Sequence, residues 1–333
     1  MTPHLDTTPS GAPPQGARPA APDSDDPTAD RAAARRSTAA RSRARRRALV
    51  PAALFLTPLL ALYGVYYLYS FVFLGQMSTK SVDLSFTGAT DIGRRNFQLV
   101  LTDPVFWRDI GNNLLFAAVS IALSLTLGFF LAVSLASGVR ARKFFFVVFL
   151  LPSLIPMSLF ATVFGQLIQT NGGAINQTLR AVGLGVLAQD WTGNTGSAYA
   201  AVFILLTYLV GLPVMYYTSD LTTANTAVLE AAMIDGAGTW QMYRMILFPM
   251  LRGTHKTVIL SVMLGSFRWF EVIFFSTGSQ PAGRTGITGT YIYDQMFPST
   301  GGGQIGYASA ASLVVLVIAV AVSAVNVLVQ RRR

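Results

Sequence analysis

Glu230-Ala231-Ala232-Met233-Ile234-Asp235-Gly236-Ala237-Gly238-Thr239-Trp240-Gln241-Met242-Tyr243-Arg244-Met245-Ile246-Leu247-Phe248-Pro249 is the longest charged, amphipathic interval between two apolar runs. Glu230, Asp235, Arg244, Arg252 and Lys256 fall in this region, whereas 191–219 carries no charge and is long enough to cross a bilayer. The stretch reads as two short helices with a break. Ala227 to Ile234 is alanine-rich and forms helix readily. Asp235-Gly236 supplies the turn, because glycine takes a positive φ without steric cost. Trp240, Tyr243 and Leu247 recur at three- and four-residue spacing and share a face. Pro249 is expected to end the second helix by biasing Phe248 away from helical geometry. Such a loop suits insertion of a short helix into a groove of another protein. It equally suits an amphipathic connector lying on the membrane surface.

The composition around this loop is that of a membrane protein. Of 333 residues, 52% are hydrophobic and 12% charged, with a mean hydropathy of +0.48. Cysteine is absent, so there is no disulfide framework and no thiolate chemistry. The net charge of +10 does not indicate nucleic acid, because nine arginines precede residue 49, three end the chain, and both clusters flank apolar spans.

Residues 1–47 form a cytosolic tail. The first thirty carry seven prolines and five aspartates, and are expected to be disordered. Arg31 to Arg47 has a composition compatible with helix and lies where it can touch anionic lipid. The apolar run after Arg47 is uncharged until Lys80, too long for a signal-peptide core, and reads as an uncleaved span. Six spans follow within 48–333: Ala48–Leu74, Gly111–Ser137, Phe144–Ile168, Ala198–Ser219, Thr257–Thr277 and Ile305–Gln330. Pro51 and Pro58 fall in the first turns of span one. Tyr63, Tyr66, Tyr67 and Tyr69 suit an interfacial belt. Pro152 and Pro156 should kink span three, a distortion that neighbouring helices can satisfy. The segments 75–110, 169–197 and 278–304 read as external, and 220–256 as a cytosolic loop. Eighteen lysines and arginines then lie on the cytosolic side and six outside (Lys80, Arg94, Arg95, Arg108, Arg180, Arg284), with Arg268 inside span five. That bias puts both termini in the cytosol.

The chemistry-bearing motifs are missing. There is no phosphate loop, so this chain does not hydrolyse ATP by that route. His4 and His255 are the only histidines, which excludes a His-Glu-x-x-His zinc site, and no metal or cofactor is expected. No nucleophile elbow occurs. Arg268 and Glu271 are the unusual charges, three apart in the outer half of span five. Ionisable groups there face a cavity or pair with each other, unless the span ends early and both reach the headgroups. Phe267, Trp269, Phe270, Phe274 and Phe275 around them suit sugar stacking and equally suit lipid.

Glu230-Ala231-Ala232, Asp235-Gly236-Ala237 and Pro249 together resemble the "EAA" loop of bacterial ABC-importer permeases. The likeness covers about 95–330 and is to sugar-type permeases of binding-protein-dependent importers, in particular the first permease of maltose- or glycerol-phosphate-type systems. Asn96-Phe97, Phe106-Trp107, Asn113, Phe149-Leu150-Leu151-Pro152, Gly173-Ala174-Ile175-Asn176, Ser266-Phe267 to Ile273, Tyr291-Ile292-Tyr293 and Gly306 to Ser312 also follow the family. Glu271 stands where the family usually has Asp, Tyr208 where tryptophan is common, Ala224-Asn225 for Ile-Pro, and Gly253 for proline. Gly278-Ser279-Gln280-Pro281 replaces a Gly-Gly-Pro turn.

The resemblance implies an all-α integral membrane protein with six transmembrane helices and the type I ABC importer permease fold, in a bacterial plasma membrane. It implies that Glu230, Ala231, Ala232, Asp235, Gly236, Ala237 and Pro249 couple the chain to a cytosolic ATPase. Tyr208, Phe267, Arg268, Phe270 and Glu271 are the candidates for the substrate path. The implied partners are a second permease, two copies of the ATPase, an extracytoplasmic solute-binding protein and the lipid bilayer. Alternating access moves a sugar or oligosaccharide, and no enzyme activity is expected. A permease for a non-sugar solute such as glycerol phosphate or a polyamine, and a stand-alone six-span channel or secondary carrier, remain alternatives.

Overall fold

The computed structural model describes residues 27–86, 88–137, 140–223, 226–299 and 302–331, which are predominantly helical. Contacts divide the chain between Tyr69 and Ser70. The first part consists, where described, of helix α1 (Pro27–Ser78), which continues past that division. The Ala/Arg-rich run forms helix readily, so Pro51 and Pro58 lie inside a long helix and not in its first turns. Of the stretch 1–30 expected to be disordered, residues 27–30 belong to α1, and residues 1–26 lie outside the described residues. The four tyrosines at 63–69 are exposed, with the Tyr63 and Tyr67 rings stacked at 5.5 Å.

The second part, Ser70–Arg333, holds everything else. Strands β1 (Lys80–Ser81) and β2 (Thr90–Asp91) pair antiparallel, Lys80 opposite Asp91. Helix α2 (Arg95–Thr102) leads to α3 (Pro104–Leu123), and a π-helical turn at Ser124–Gly128 joins α3 to α4 (Phe129–Ala136). Asp103 caps α3 by accepting from the Val105 amide at 2.8 Å. Pro104 fills the first position, where its missing N–H is harmless. Span two therefore starts well before Gly111.

Span three is α5 (Arg142–Leu154) and α6 (Met157–Leu167), bent by 99°. The cause is Pro156, which forces Ile155 into extended geometry (ψ 136°). The expected kink is thus a full break. Helix α7 (Ala174–Ala181) stands in a segment that glycine and asparagine made look like a loop. Span four is α8 (Thr195–Thr207), a 3₁₀ turn at Tyr208–Val210, and α9 (Gly211–Thr223). Gly211 lets α9 meet α5: a Cβ there would sit 2.2 Å from the Phe149 carbonyl oxygen, the close approach that small residues permit between membrane helices.

The Glu230 loop contains α10 (Thr226–Ile234), α11 (Thr239–Gln241), a π-helical turn at Met242–Leu247, and α12 (Phe248–Met250). Span five is α13 (Arg252–Ser266) and α14 (Phe270–Ser276), bent by 59°. The hydrogen bonds tighten at the break: the Arg268 amide reaches the Gly265 carbonyl and the Trp269 amide the Ser266 carbonyl. The Ser266 hydroxyl bonds back to Met263, which competes with the helix ladder. Helices α15 (Thr288–Met296) and α16 (Ile305–Arg331) complete the chain. Among the described residues four helices are long and apolar enough to span a membrane, and six spans result when each bent pair counts as one.

Three clusters form the core. Phe116, Phe164, Leu205 and Ile273 join α3, α6, α8 and α14. Phe129, Val214, Tyr217, Leu247 and Val258 join α4, α9, the loop and α13. Phe106, Ile110, Tyr291 and Ala311 join α3, α15 and α16.

Candidate coupling loop and cavity

The first half of the loop is a helix ended by backbone geometry alone. The Gly236 amide donates to the Met233 carbonyl at 3.1 Å and the Ala237 amide to the Ala232 carbonyl at 2.9 Å. This pair is a Schellman motif. It places Gly236 at φ +79°. A Cβ at Gly236 would meet nothing within 4 Å, so the glycine serves the dihedral angle and not a contact. Glu230, Ala231, Asp235 and Gly236 are exposed, while Ala232 and Ala237 are half-buried. The motif thus presents small side chains and two carboxylates outward on a rigidly capped helix.

The second half is anchored to the spans. The Gln241 side chain accepts from the Gly238 amide at 3.0 Å and caps α11. Trp240 lies flat on Phe130 of α4, with centroids 6.1 Å apart and planes 7° from parallel. Leu247 and Leu251 are buried. Pro249 does not end this helix at Phe248, which keeps helical angles (φ −61°, ψ −47°), and the helix runs on to Met250. Where the preceding π turn returns to α-helical register, one carbonyl is left without an amide to serve. A proline without an N–H fits there.

A cavity of about 440 Å³ opens between α3, α5, α9 and α13. Its polar lining includes Ser120, Ser153, Tyr216, Ser261, Arg268 and Trp269, with no Asp or Glu among the described residues. Of the expected path residues it contains Arg268. Tyr208 lines a separate cavity of about 300 Å³, with its ring 4.8 Å from Phe160. Phe267 is half-buried and lines neither. Phe270 stacks on Phe274 at 5.0 Å and meets the Tyr293 ring tilted at 5.3 Å. Glu271 is exposed in the first turn of α14 and forms no ion pair with Arg268, because the break redirects the helix between them. The serines and Tyr216 went unrecognised in the sequence, where they are ordinary span residues, whereas Trp269 is one of the aromatic residues the sequence sets around Arg268.

At the other end of the helices, long-range hydrogen bonds hold the connecting segments. Asn112 donates to the Arg284 carbonyl at 2.8 Å and the Gly286 carbonyl at 2.7 Å, and accepts from the Tyr199 hydroxyl at 2.5 Å. Asn113 accepts from the Thr288 hydroxyl at 2.9 Å. Tyr291 donates to Asp103 at 2.5 Å. Burial, reinforced by the Asp103 carboxylate, holds the Tyr291 hydroxyl protonated well above the usual tyrosine range. Asn176 accepts from the Trp191 indole at 3.0 Å.

This fold, with apolar spans, an outward-facing capped loop helix and a cavity inside the helices, is that of a type I ABC importer permease. A chain from a bacterial alginate ABC transporter, solved in complex with its alginate pentasaccharide-bound periplasmic protein, superposes with a TM-score of 0.72 over 86% of this chain and 96% of its own, at 20% identity. Residues 51–333 match the family described as binding-protein-dependent transport system inner membrane component, and the chain belongs to that family. The probable ABC transporter permease protein YurN of Bacillus subtilis is 32% identical over 278 residues, covering 83% of this chain and 91% of that protein. The multiple sugar-binding transport system permease protein MsmF of Streptococcus mutans is 26% identical, covering 72% and 81%. The chain is therefore a multi-pass ABC importer permease, a transport component and not an enzyme.

Proposed function

We propose that this chain imports a sugar or oligosaccharide as one half of a translocation pathway, together with a second permease, two ATPase copies and an extracytoplasmic binding protein. Both termini face the cytosol of a bacterial plasma membrane, in line with the lysine and arginine bias. Helix α10, with Glu230, Ala231 and Ala232 before the Asp235-Gly236-Ala237 turn and Pro249 closing the loop, docks on the ATPase. The observation that carries this is the exposed Schellman-capped helix on a loop whose other half is fixed to the spans. Movement of the ATPases then levers the spans, and no covalent chemistry passes through this chain.

The cavity with Ser120, Ser153, Tyr216, Ser261, Arg268 and Trp269 is the chain's share of the path. Hydroxyl and guanidinium groups match sugar hydroxyls, and the indole matches a sugar's C–H face. The sugar-named Streptococcus mutans relative supports the same class. Of the residues expected on the path, Arg268 belongs to this lining and Tyr208 to the neighbouring cavity, with Phe267, Phe270 and Glu271 outside both. A strain lacking this chain should lose uptake of one class of radiolabelled oligosaccharide. Full carbohydrate uptake with loss of glycerol phosphate or polyamine uptake would overturn the substrate class.

A further inference from the structure

Phe248, at the start of α12, is tied to two spans by buried side chains that the transport reading has not used. His255 Nε2 lies 2.9 Å from the Phe248 carbonyl oxygen, and Nδ1 lies 2.7 Å from the Tyr217 hydroxyl. A carbonyl can only accept, so Nε2 carries the proton. In the neutral ring Nδ1 then accepts from Tyr217. The result is a directed chain from α9, through α13, to the loop. Tyr217 is 0% exposed and His255 8%.

The packing around these bonds is closed. The His255 ring lies 4.2 Å from that of Phe248, and Phe129 of α4 sits edge-on to Tyr217, Phe248 and His255. One residue before His255 and three after Tyr217, the Thr254 hydroxyl donates to Asp220, so α9 and α13 are fastened at two points. By contrast, α10 presents mainly exposed side chains. Force applied to the loop therefore reaches α9 and α13 through this contact, because dry, hydrogen-bonded packing has discrete arrangements and transmits displacement.

The geometry points to Tyr217, His255 and the Phe248 carbonyl as the joint that carries movement of the loop into spans four and five, with His255 as its positioning residue. This rests on the reading of α10 as the ATPase-docking helix. Tyr217→Phe removes the hydroxyl and keeps the ring. His255→Gln keeps a side chain that donates and accepts, and His255→Leu does neither.

The test uses the full transporter with its ATPases in liposomes. The readout is the rate at which a maleimide labels Ser153→Cys in the cavity, without nucleotide and with vanadate-trapped ATP. With the joint intact, trapping changes the rate. In Tyr217→Phe and His255→Leu the ATPase should stay bound while that change shrinks at least about fivefold, the lower end of ordinary coupling. His255→Gln should restore part of it. An unchanged labelling response in Tyr217→Phe and His255→Leu complexes, with lower yield alone, would make the contact merely structural and overturn the joint. A nucleotide-independent rate with the joint intact and the ATPase bound would overturn it as well. Failure of the ATPase to bind even the unaltered chain would remove the docking reading, and the joint with it.

Discussion

The two ends of the helices in the second part are held in different ways. Where 75–110, 169–197 and 278–304 connect the spans, polar side chains cross long stretches of sequence. Asn112 reaches backbone carbonyls 172 and 174 residues away, and Asn96 holds the carbonyls of Ser78 and Lys80. At the Glu230 end the polar ties are fewer and join neighbouring helix ends: the Tyr217–His255–Phe248 chain, Thr254 to Asp220 and Lys256 to the Gln330 carbonyl, set in aromatic and aliphatic packing. Several directional bonds fix a single arrangement. A few ties between helix ends, set in apolar packing, permit a second. The difference suits a transporter whose moving parts are driven from the loop end, with the opposite end keeping the helices in register.

The comparison is broken most severely at Asn112. Asn112→Ala removes the buried bond to the Gly286 carbonyl and the part-buried bonds to the Arg284 carbonyl and the Tyr199 hydroxyl. Each lost buried bond costs about 1–3 kcal/mol. A total loss of about 3 kcal/mol is expected, seen as a lower unfolding midpoint in detergent and little assembled complex. An unfolding midpoint equal to that of the unaltered chain would show that the far end is not pinned by this residue.

A smaller effect on folding, with a larger one on transport, is expected at the loop. Gly236→Val forces a β-branched residue to φ +79°, a strain of about 1–2 kcal/mol. The open space around Gly236 means no clash adds to it. The helix cap should loosen and α10 should be re-aimed. The permease should remain folded while ATPase co-purification and substrate-stimulated hydrolysis fall. Glu230→Lys should weaken docking without strain. Normal values for both variants would detach the loop from coupling.

These contrasts were unequally legible in the sequence. Gly236 was readable because its requirement is local: a helix must end, and glycine supplies the dihedral angle. The break at Pro156 was readable for the same reason, although its 99° angle was not. Asn112, Tyr217 and His255 were not readable, because a polar residue in an apolar run does not announce its partner. His255 entered the sequence reading only as one of too few histidines for zinc, whereas its tyrosine partner lies 38 residues earlier. Pro249 misled, since a proline that ends an ordinary helix can pass through one that has just left a π turn. The pairing of Arg268 with Glu271 failed similarly: three-residue spacing implies a shared face only while the helix continues.

That break supplies the last and smallest contrast, between two charges that the sequence treated alike. Arg268 lines the cavity and Glu271 does not. A charge left facing lipid near mid-bilayer costs about 2.5–3.5 kcal/mol on insertion scales, and less near the interface. A cavity lined by hydroxyl groups lowers that penalty for Arg268, and any solute in the cavity meets its guanidinium. Glu271 sits beyond the bend, in the first turn of α14, away from the cavity. Arg268→Gln is therefore expected to lower uptake severalfold with assembly intact. Glu271→Gln should change uptake by less than about twofold, because an exposed surface carboxylate contributes little beyond its own solvation. Equal losses from the two substitutions would mean that the helix straightens during transport and brings both charges to one face. Equal indifference would place Arg268 outside the path and leave the cavity's serines and Trp269 to recognise the solute.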